Sequence, residues 1–180
     1  MPIHNVVLIG MPASGKSTLG VMLAKALGWD YLDTDVFIQA HEGYTLREII
    51  RTRGTKAFRA LETRTVCKLD LSHFVIATGG SVVFGPLAME HLQQQGLVVW
   101  LRVGLDALAR RIGDLERRGV LHRPGQTLGD ILAEREALYE KYAQVQVRCD
   151  GKSPERIVTE LVACVKATPT AGGQQATRGL

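Results

Sequence analysis

The stretch that most constrains this chain is GMPASGKST, residues 10 to 18. It follows a short apolar run, Val6 to Ile9, and precedes apolar residues at helical spacing: Leu19, Met22, Leu23, Ala26 and Leu27, with Gly28 as the stop. A Gly-x-x-x-x-Gly-Lys-Ser spacing between a strand and a helix is what a phosphate-wrapping loop needs. Gly10 and Gly15 permit the backbone bends, and the amides of the loop, including those of Ala13, Ser14 and Gly15, converge with the helix N-terminus on an anion. Lys16 reaches the outer phosphates, Ser17 supplies a hydroxyl ligand for Mg²⁺, and Thr18 continues the site into the helix. The motif predicts a gripped ATP or GTP; it does not say where the phosphate goes.

The rest of the chain continues the alternation of short apolar runs with helical patterns. Trp29 to Leu32, Phe74 to Ala77, residues 97 to 101 (LVVWL) and Val145 to Val147 read as strands. Helices are expected after a Thr45/Glu48 capping box, from about Lys56 to Leu71, from Pro86 to near Gly96, over Leu105 to Arg111, from a Thr127 cap through Tyr142, and after Ser153-Pro154. Such alternation predicts an α/β fold whose parallel sheet is covered on both faces. At 180 residues there is room for one domain with a sizeable core, expected over 1–167. Residues 113 to 126 (GDLERRGVLHRPGQ) lack periodicity and read as a mobile lid-like loop, and the tail 168–180 as disordered.

The bulk numbers exclude more than they assign. No apolar run is long enough to cross a membrane. The net charge of +4 is not massed in one block, which argues against a nucleic-acid partner. Without a signal-like N-terminus the chain reads as cytoplasmic, and Cys67, Cys149 and Cys164 as reduced, mostly core-filling thiols. The five histidines have no metal-ligand spacing. Trp29 and Trp100 read as packing residues.

Three further groups carry chemistry. Asp33-Thr34-Asp35 follows the second strand, at the end of a parallel sheet where ligands bind. One carboxylate can hold a metal shell and the other can accept a proton from a hydroxyl nucleophile; alternatively Asp33 caps the next helix. Arg59 and Glu62, three apart on one predicted helix, can pair. Gly79-Gly80-Ser81 follows the third strand. Together with Arg59 and Arg135, backbone donors at that turn would make a carboxylate receptor, although either arginine alone could be a surface ion pair.

Taken together, GMPASGKST, LDTD, FRALE, ATGG and REALY resemble the shikimate kinase family, in the family's order and across residues 6 to about 142. The resemblance implies a three-layer α/β/α P-loop kinase fold with a five-stranded parallel sheet in the order 2-3-1-4-5. It implies ATP with Mg²⁺, and transfer of the γ-phosphate to the 3-hydroxyl of shikimate by a monomer acting on a small-molecule substrate. Carried over by motif, Asp35 holds the shikimate hydroxyls and acts as base, and Asp33 supports the Mg²⁺ shell. Arg59, Arg135 and the Gly80 amide hold the carboxylate. Arg111 and Pro154 lie on the adenine side, and Arg123 closes on the phosphates, with Arg117 and Arg118 as substitutes. Two departures stand out. Ser81 replaces the usual third glycine, and the segment from Arg123 to Arg135 is compact. A related kinase of another hydroxy acid or polyol, such as gluconate, and a catalytically weak nucleotide-binding protein remain as alternatives.

Overall fold

The computed structural model describes residues 4–113, 120–123 and 125–168. Five parallel strands form the sheet: β1 (Asn5–Ile9), β2 (Asp30–Asp33), β3 (Phe74–Ala77), β4 (Gly96–Arg102) and β5 (Val145–Arg148), in the order β2-β3-β1-β4-β5. The register is fixed centrally by Val7 opposite Ile76 on one side and Val98 on the other. Successive side chains of a strand point to opposite faces, yet Val6 to Ile9 are all 0% exposed. Both faces of the sheet are therefore covered, as the unbroken apolar runs of β1 and β4 require. The helices are α1 (Lys16–Leu27), α2 (Thr34–Glu42), α3 (Leu46–Val66), α4 (Pro86–Gln95), α5 (Leu105–Ile112), α6 (Leu128–Tyr142) and α7 (Pro154–Ala167). Among the helices, α1 packs against α7 and α3 against α4, giving three α/β/α layers.

Local chemistry sets most boundaries. Gly28 ends α1 in the left-handed region, capping boxes at Thr45/Glu48 and Thr127/Asp130 start α3 and α6, and Ser153 caps α7 ahead of Pro154. Two expectations need correction. The helix expected from Lys56 to Leu71 is the second limb of α3, which begins at Leu46, kinks at Gly54 (φ 80°) and stops at Val66. Beyond Val66 the bonds tighten to Lys68 N–H→Thr65 and Leu69 N–H→Val66, and the Leu71 carbonyl accepts from Asn5 Nδ2 at 2.7 Å, so it cannot continue a helix. Asn5, fully buried, also takes the Gln95 carbonyl and accepts from Phe74 N–H, lacing the start of β1 to both neighbouring connections. The cysteines divide: Cys149 is buried, Cys164 half-buried, but Cys67 is exposed and is no core filler. Trp100 is buried against Tyr139, and Trp29 meets His73 edge-on.

A second, smaller cluster of Ile38, Ile49, Phe58 and Leu61, joined by Leu46, Ile50 and Leu121, docks α2 and both limbs of α3 beside the sheet. Half of the expected lid, residues 114–119 with Arg117 and Arg118, and residue 124, lies outside the described residues; so does the tail from 169. Among the described residues no helix is long and apolar enough to cross a membrane.

Candidate active site

The sheet order arranges the site. The central strand β1 delivers the phosphate loop; β2 and β3, on one flank, deliver Asp33 to Asp35 and Thr78 to Ser81; β4 and β5, on the other, lead to Arg111, Cys149, Lys152 and Pro154. All of these carboxyl ends open on one cleft of about 720 Å³, whose lining also includes Pro12 to Leu19, Leu46, Ile50, Phe58, Leu121 and Arg135. One flank thus carries the two aspartates and the Gly79–Ser81 turn, the other Arg111, Lys152 and Pro154, and the loop lies between them.

The loop holds its shape with positive φ at Gly10 (145°), Ala13 (63°) and Gly15 (101°). A Cβ on Gly10 would come within 2.8 Å of the Leu101 carbonyl, so that position is closed to any other residue. Lys16 folds into the loop, donating to the carbonyls of Gly10 at 2.9 Å and Met11 at 2.8 Å. Burial pulls its pKa down to about 8, against the attraction of Asp35 and Asp33. On the base flank, Arg111 Nη1 reaches the Ala13 carbonyl at 3.5 Å, and Lys152 pairs with Glu160 at 2.6 Å.

The capping reading of Asp33 holds on one oxygen, and the other faces Ser17. Oδ1 accepts from the amides of Asp35 and Val36 and caps α2, an element the sequence pattern left without bounds. Oδ2 accepts from Ser17 Oγ at 2.8 Å and from Tyr31 at 3.2 Å. A hydroxyl and a carboxylate side by side at the loop fit Mg²⁺, which typically takes one or two protein oxygens and completes its octahedron with phosphate and water. Among the described residues no group of three His, Cys, Asp or Glu is placed to hold a metal by itself.

Asp35 has no counter-charge bonded to it among the described residues. Its Oδ1 is buried and unpartnered among the described residues. Burial first, and the Asp33 charge second, push its pKa up to about 6, with Lys16 opposing. Glu62, also buried, is pushed up to about 7 by burial and by Asp35. The two carboxylates meet at Gly79: a Cβ there would stand 2.5 Å from Glu62 Oε1 and 2.7 Å from Asp35 Oδ1. Gly79 is therefore required for close approach. Gly79→Ala is expected to cost about 1–3 kcal/mol of stability and at least tenfold in kcat/KM, read by melting and steady-state rates; an alanine variant with wild-type turnover would refute this packing argument.

The arginines are placed unequally. Arg135 is 2% exposed, donates to the Leu121 carbonyl at 2.6 Å and the Gly80 carbonyl at 3.2 Å, and lines the cleft. Tyr139 donates to the same Gly80 carbonyl at 2.9 Å. Arg59 is not among the residues that line the cleft; its guanidinium lies 4.2 Å from the centre of the Phe84 ring, and its Nε is buried and unpartnered among the described residues. The expected Arg59–Glu62 pair is absent from the described ion pairs, because Glu62 accepts from Ser81 Oγ at 2.9 and 3.2 Å instead. Ser81 itself has φ −99°, so the serine fits the turn without strain. Arg123 is not in the cleft: it points outward, 74% exposed, and pairs with Glu134 at 3.2 Å.

Against this geometry stand the comparisons with known proteins. The family model for shikimate kinase matches residues 12–166. The chain belongs to the shikimate kinase family. Relatives include a shikimate kinase of Synechococcus sp. (strain RCC307), 38% identical over 91% of this chain and 87% of that one, and one of Thermosynechococcus vestitus, 36% identical over 88% and 87%. Among solved structures, a shikimate kinase from Acinetobacter baumannii in complex with shikimate superposes with a TM-score of 0.85, at 28% identity over 91% of this chain and 93% of that chain. Shikimate kinases use ATP, and the residues of GMPASGKST from Pro12 onward line the cleft. Phe84, Tyr139, Tyr31 and Thr78 went unassigned in the sequence reading. Tyr139 lies inside REALY and Thr78 inside ATGG, so their motifs, not their residue types, were the available signal.

Proposed function

We propose that this chain transfers the γ-phosphoryl group of ATP to the 3-hydroxyl of shikimate, with Mg²⁺, as a cytoplasmic monomer. In this reading residues 1–167 form one kinase domain with a lid at about 113–126. The observation that carries the reading is the convergence, in one cleft, of the Lys16 loop, the unpartnered Oδ1 of Asp35 and the buried Arg135. Loop amides, Lys16 and a lid arginine hold the phosphates; Ser17 and Asp33 hold the metal. When bound, Mg²⁺ neutralises charge on the β- and γ-phosphate oxygens. Asp35 Oδ1 orients the acceptor hydroxyl and takes its proton as the oxygen–phosphorus bond forms and the bond to the β-phosphate breaks, leaving ADP. Arg135, Arg59 and the Gly80 amide receive the acceptor's carboxylate. Among the described residues the Arg123 guanidinium pairs with Glu134 alone, an exposed contact worth at most about 1 kcal/mol, so the side chain can exchange it for phosphate.

Ser81 supports shikimate over a different hydroxy acid, because its hydroxyl is turned to Glu62 and not into the acceptor space. Three charged groups of opposite duty in one cleft favour a working kinase over a passive nucleotide binder. Purified protein with ATP and Mg²⁺ is expected to release ADP on addition of shikimate, with kcat/KM far above that for gluconate or quinate. Equal rates across the acceptor panel, or no shikimate-dependent release, would overturn the proposal.

A further inference from the structure

The 3₁₀ turn Val82–Phe84 that follows Ser81 touches α3 through two side chains with opposite partners. Ser81 Oγ donates to both Glu62 oxygens, at 2.9 and 3.2 Å, and Phe84 lies 4.2 Å under the Arg59 guanidinium. The same ring has the Arg135 guanidinium 5.7 Å from its centre, so one aromatic side chain serves both cations of the carboxylate receptor. Arg59 and Glu62 are one helical turn apart and would ordinarily pair. We propose that Ser81 and Phe84 are positioning residues for an anionic acceptor: Phe84 holds Arg59 by its face, and Ser81 takes up the carboxylate that would compete for it.

The chemistry behind this is a matter of which edge of a guanidinium is used. A salt bridge spends N–H donors, whereas stacking on an aromatic face fixes the plane and leaves the donors free. The buried Arg59 Nε has no partner among the described residues, so that donor is not committed to any described acceptor of the protein. The ring also eases the approach of two like charges, since its π-system attracts both. Burial first, and Arg135 second, lower the Arg59 pKa, so the pair is costly without a counter-charge. The groups facing Glu62 are Asp35 from α2, Arg59 from its own helix, Arg135 from α6 and Ser81 from the turn. Ser81 thus replaces a glycine with a hydroxyl that has a definite task.

The inference rests on the proposed acceptor reading, and its test separates the two. Shikimate binding to the ADP-loaded protein is measured by calorimetry, and shikimate-dependent ADP release by coupled assay. Phe84→Leu is expected to weaken shikimate binding about fivefold with the KM for ATP unchanged, and Phe84→Tyr to restore it. Ser81→Ala is expected to weaken binding about threefold, an effect that disappears in a Glu62→Gln background, where no anion competes. A general packing defect would not vanish there. Wild-type affinity in Phe84→Leu, or a Ser81→Ala penalty that persists with Glu62→Gln, overturns the positioning role while leaving the kinase reading intact. Binding with the expected losses but no ADP release overturns the kinase reading and leaves the positioning role standing. Neither binding nor release in wild type overturns both.

Discussion

Asp35→Asn is expected to lower kcat by about 10³-fold while ATP and shikimate still bind, because it removes the carboxylate proposed to take the hydroxyl proton and keeps the side chain's shape. Steady-state turnover with parallel calorimetry checks this; a variant that retained a tenth of the rate would show that Asp35 is not the base. The same variant is expected to be more stable. The Asp35 carboxyl has a pKa near 6 in the folded chain against 3.8 for an unperturbed aspartate. Between those values the native state holds more protons than the unfolded one, so stability falls as pH rises from 3.8 to about 6 and stays reduced above. Above pH 6 the burial penalty is fully present, and a neutral amide relieves an upper bound of roughly 3 kcal/mol of it. Melting at pH 7.5 should therefore rise in Asp35→Asn as activity collapses, which separates loss of chemistry from loss of fold.

The pH profile carries the same logic. Wild-type kcat/KM should fall on the acid side as Asp35 takes up a proton near pH 6. Glu62, pushed up to about 7, shares the space at Gly79 with Asp35, so the acid limb belongs to the pair. Glu62→Gln is expected to steepen and simplify that limb without abolishing turnover.

How far the sequence reached can be judged from single residues. Gly10 and Gly15 were legible because the loop's φ angles are a backbone constraint, written wherever the loop occurs. Asp33 was legible as two alternatives; one oxygen makes the cap, and the other is left to bond Ser17. The five strands and their caps follow from periodicity and from Thr, Ser and Gly at the ends. What did not follow is pairing across elements. Arg59 and Glu62 are neighbours on a helix, and helix spacing says they pair. The fold instead brings Ser81 and Phe84 from β3's turn against that face, and they take one partner each. Asn5 was invisible for the same reason: its three partners come from connections remote in sequence. Arg123, placed at the phosphates by motif, points outward because lid residues are positioned by ligand contacts more than by the core.

Lys16→Met is the other substitution with a large expected effect. The ammonium is the inner cation of the cleft, and without it kcat/KM for ATP should drop by about 10³-fold, in line with loss of a preorganised donor to the transferring group. The residue also carries a testable proton linkage. Its pKa is about 8 in the free protein because burial outweighs the pull of Asp35 and Asp33. A polyphosphate beside it restores the charged form, so nucleotide binding at pH 8 should take up about half a proton, seen as a dependence of calorimetric heat on buffer ionisation enthalpy. Lys16→Met should bind ADP weakly and with no such uptake. On stability the sign is again set by the shift. Folded pKa near 8 lies below 10.5, so the unfolded chain holds more protons between them and stability rises with pH across that window. Below pH 8 the burial cost of roughly 3 kcal/mol is fully present. Methionine removes that cost but leaves the Gly10 and Met11 carbonyls unpaired, at about 1 kcal/mol or more each. The two nearly offset, so the variant should melt within a few degrees of wild type, with its stability flat from pH 8 to 10.5. A variant that lost activity and kept the wild-type rise in stability with pH would show that some group other than Lys16 is buried in its charged form at the loop.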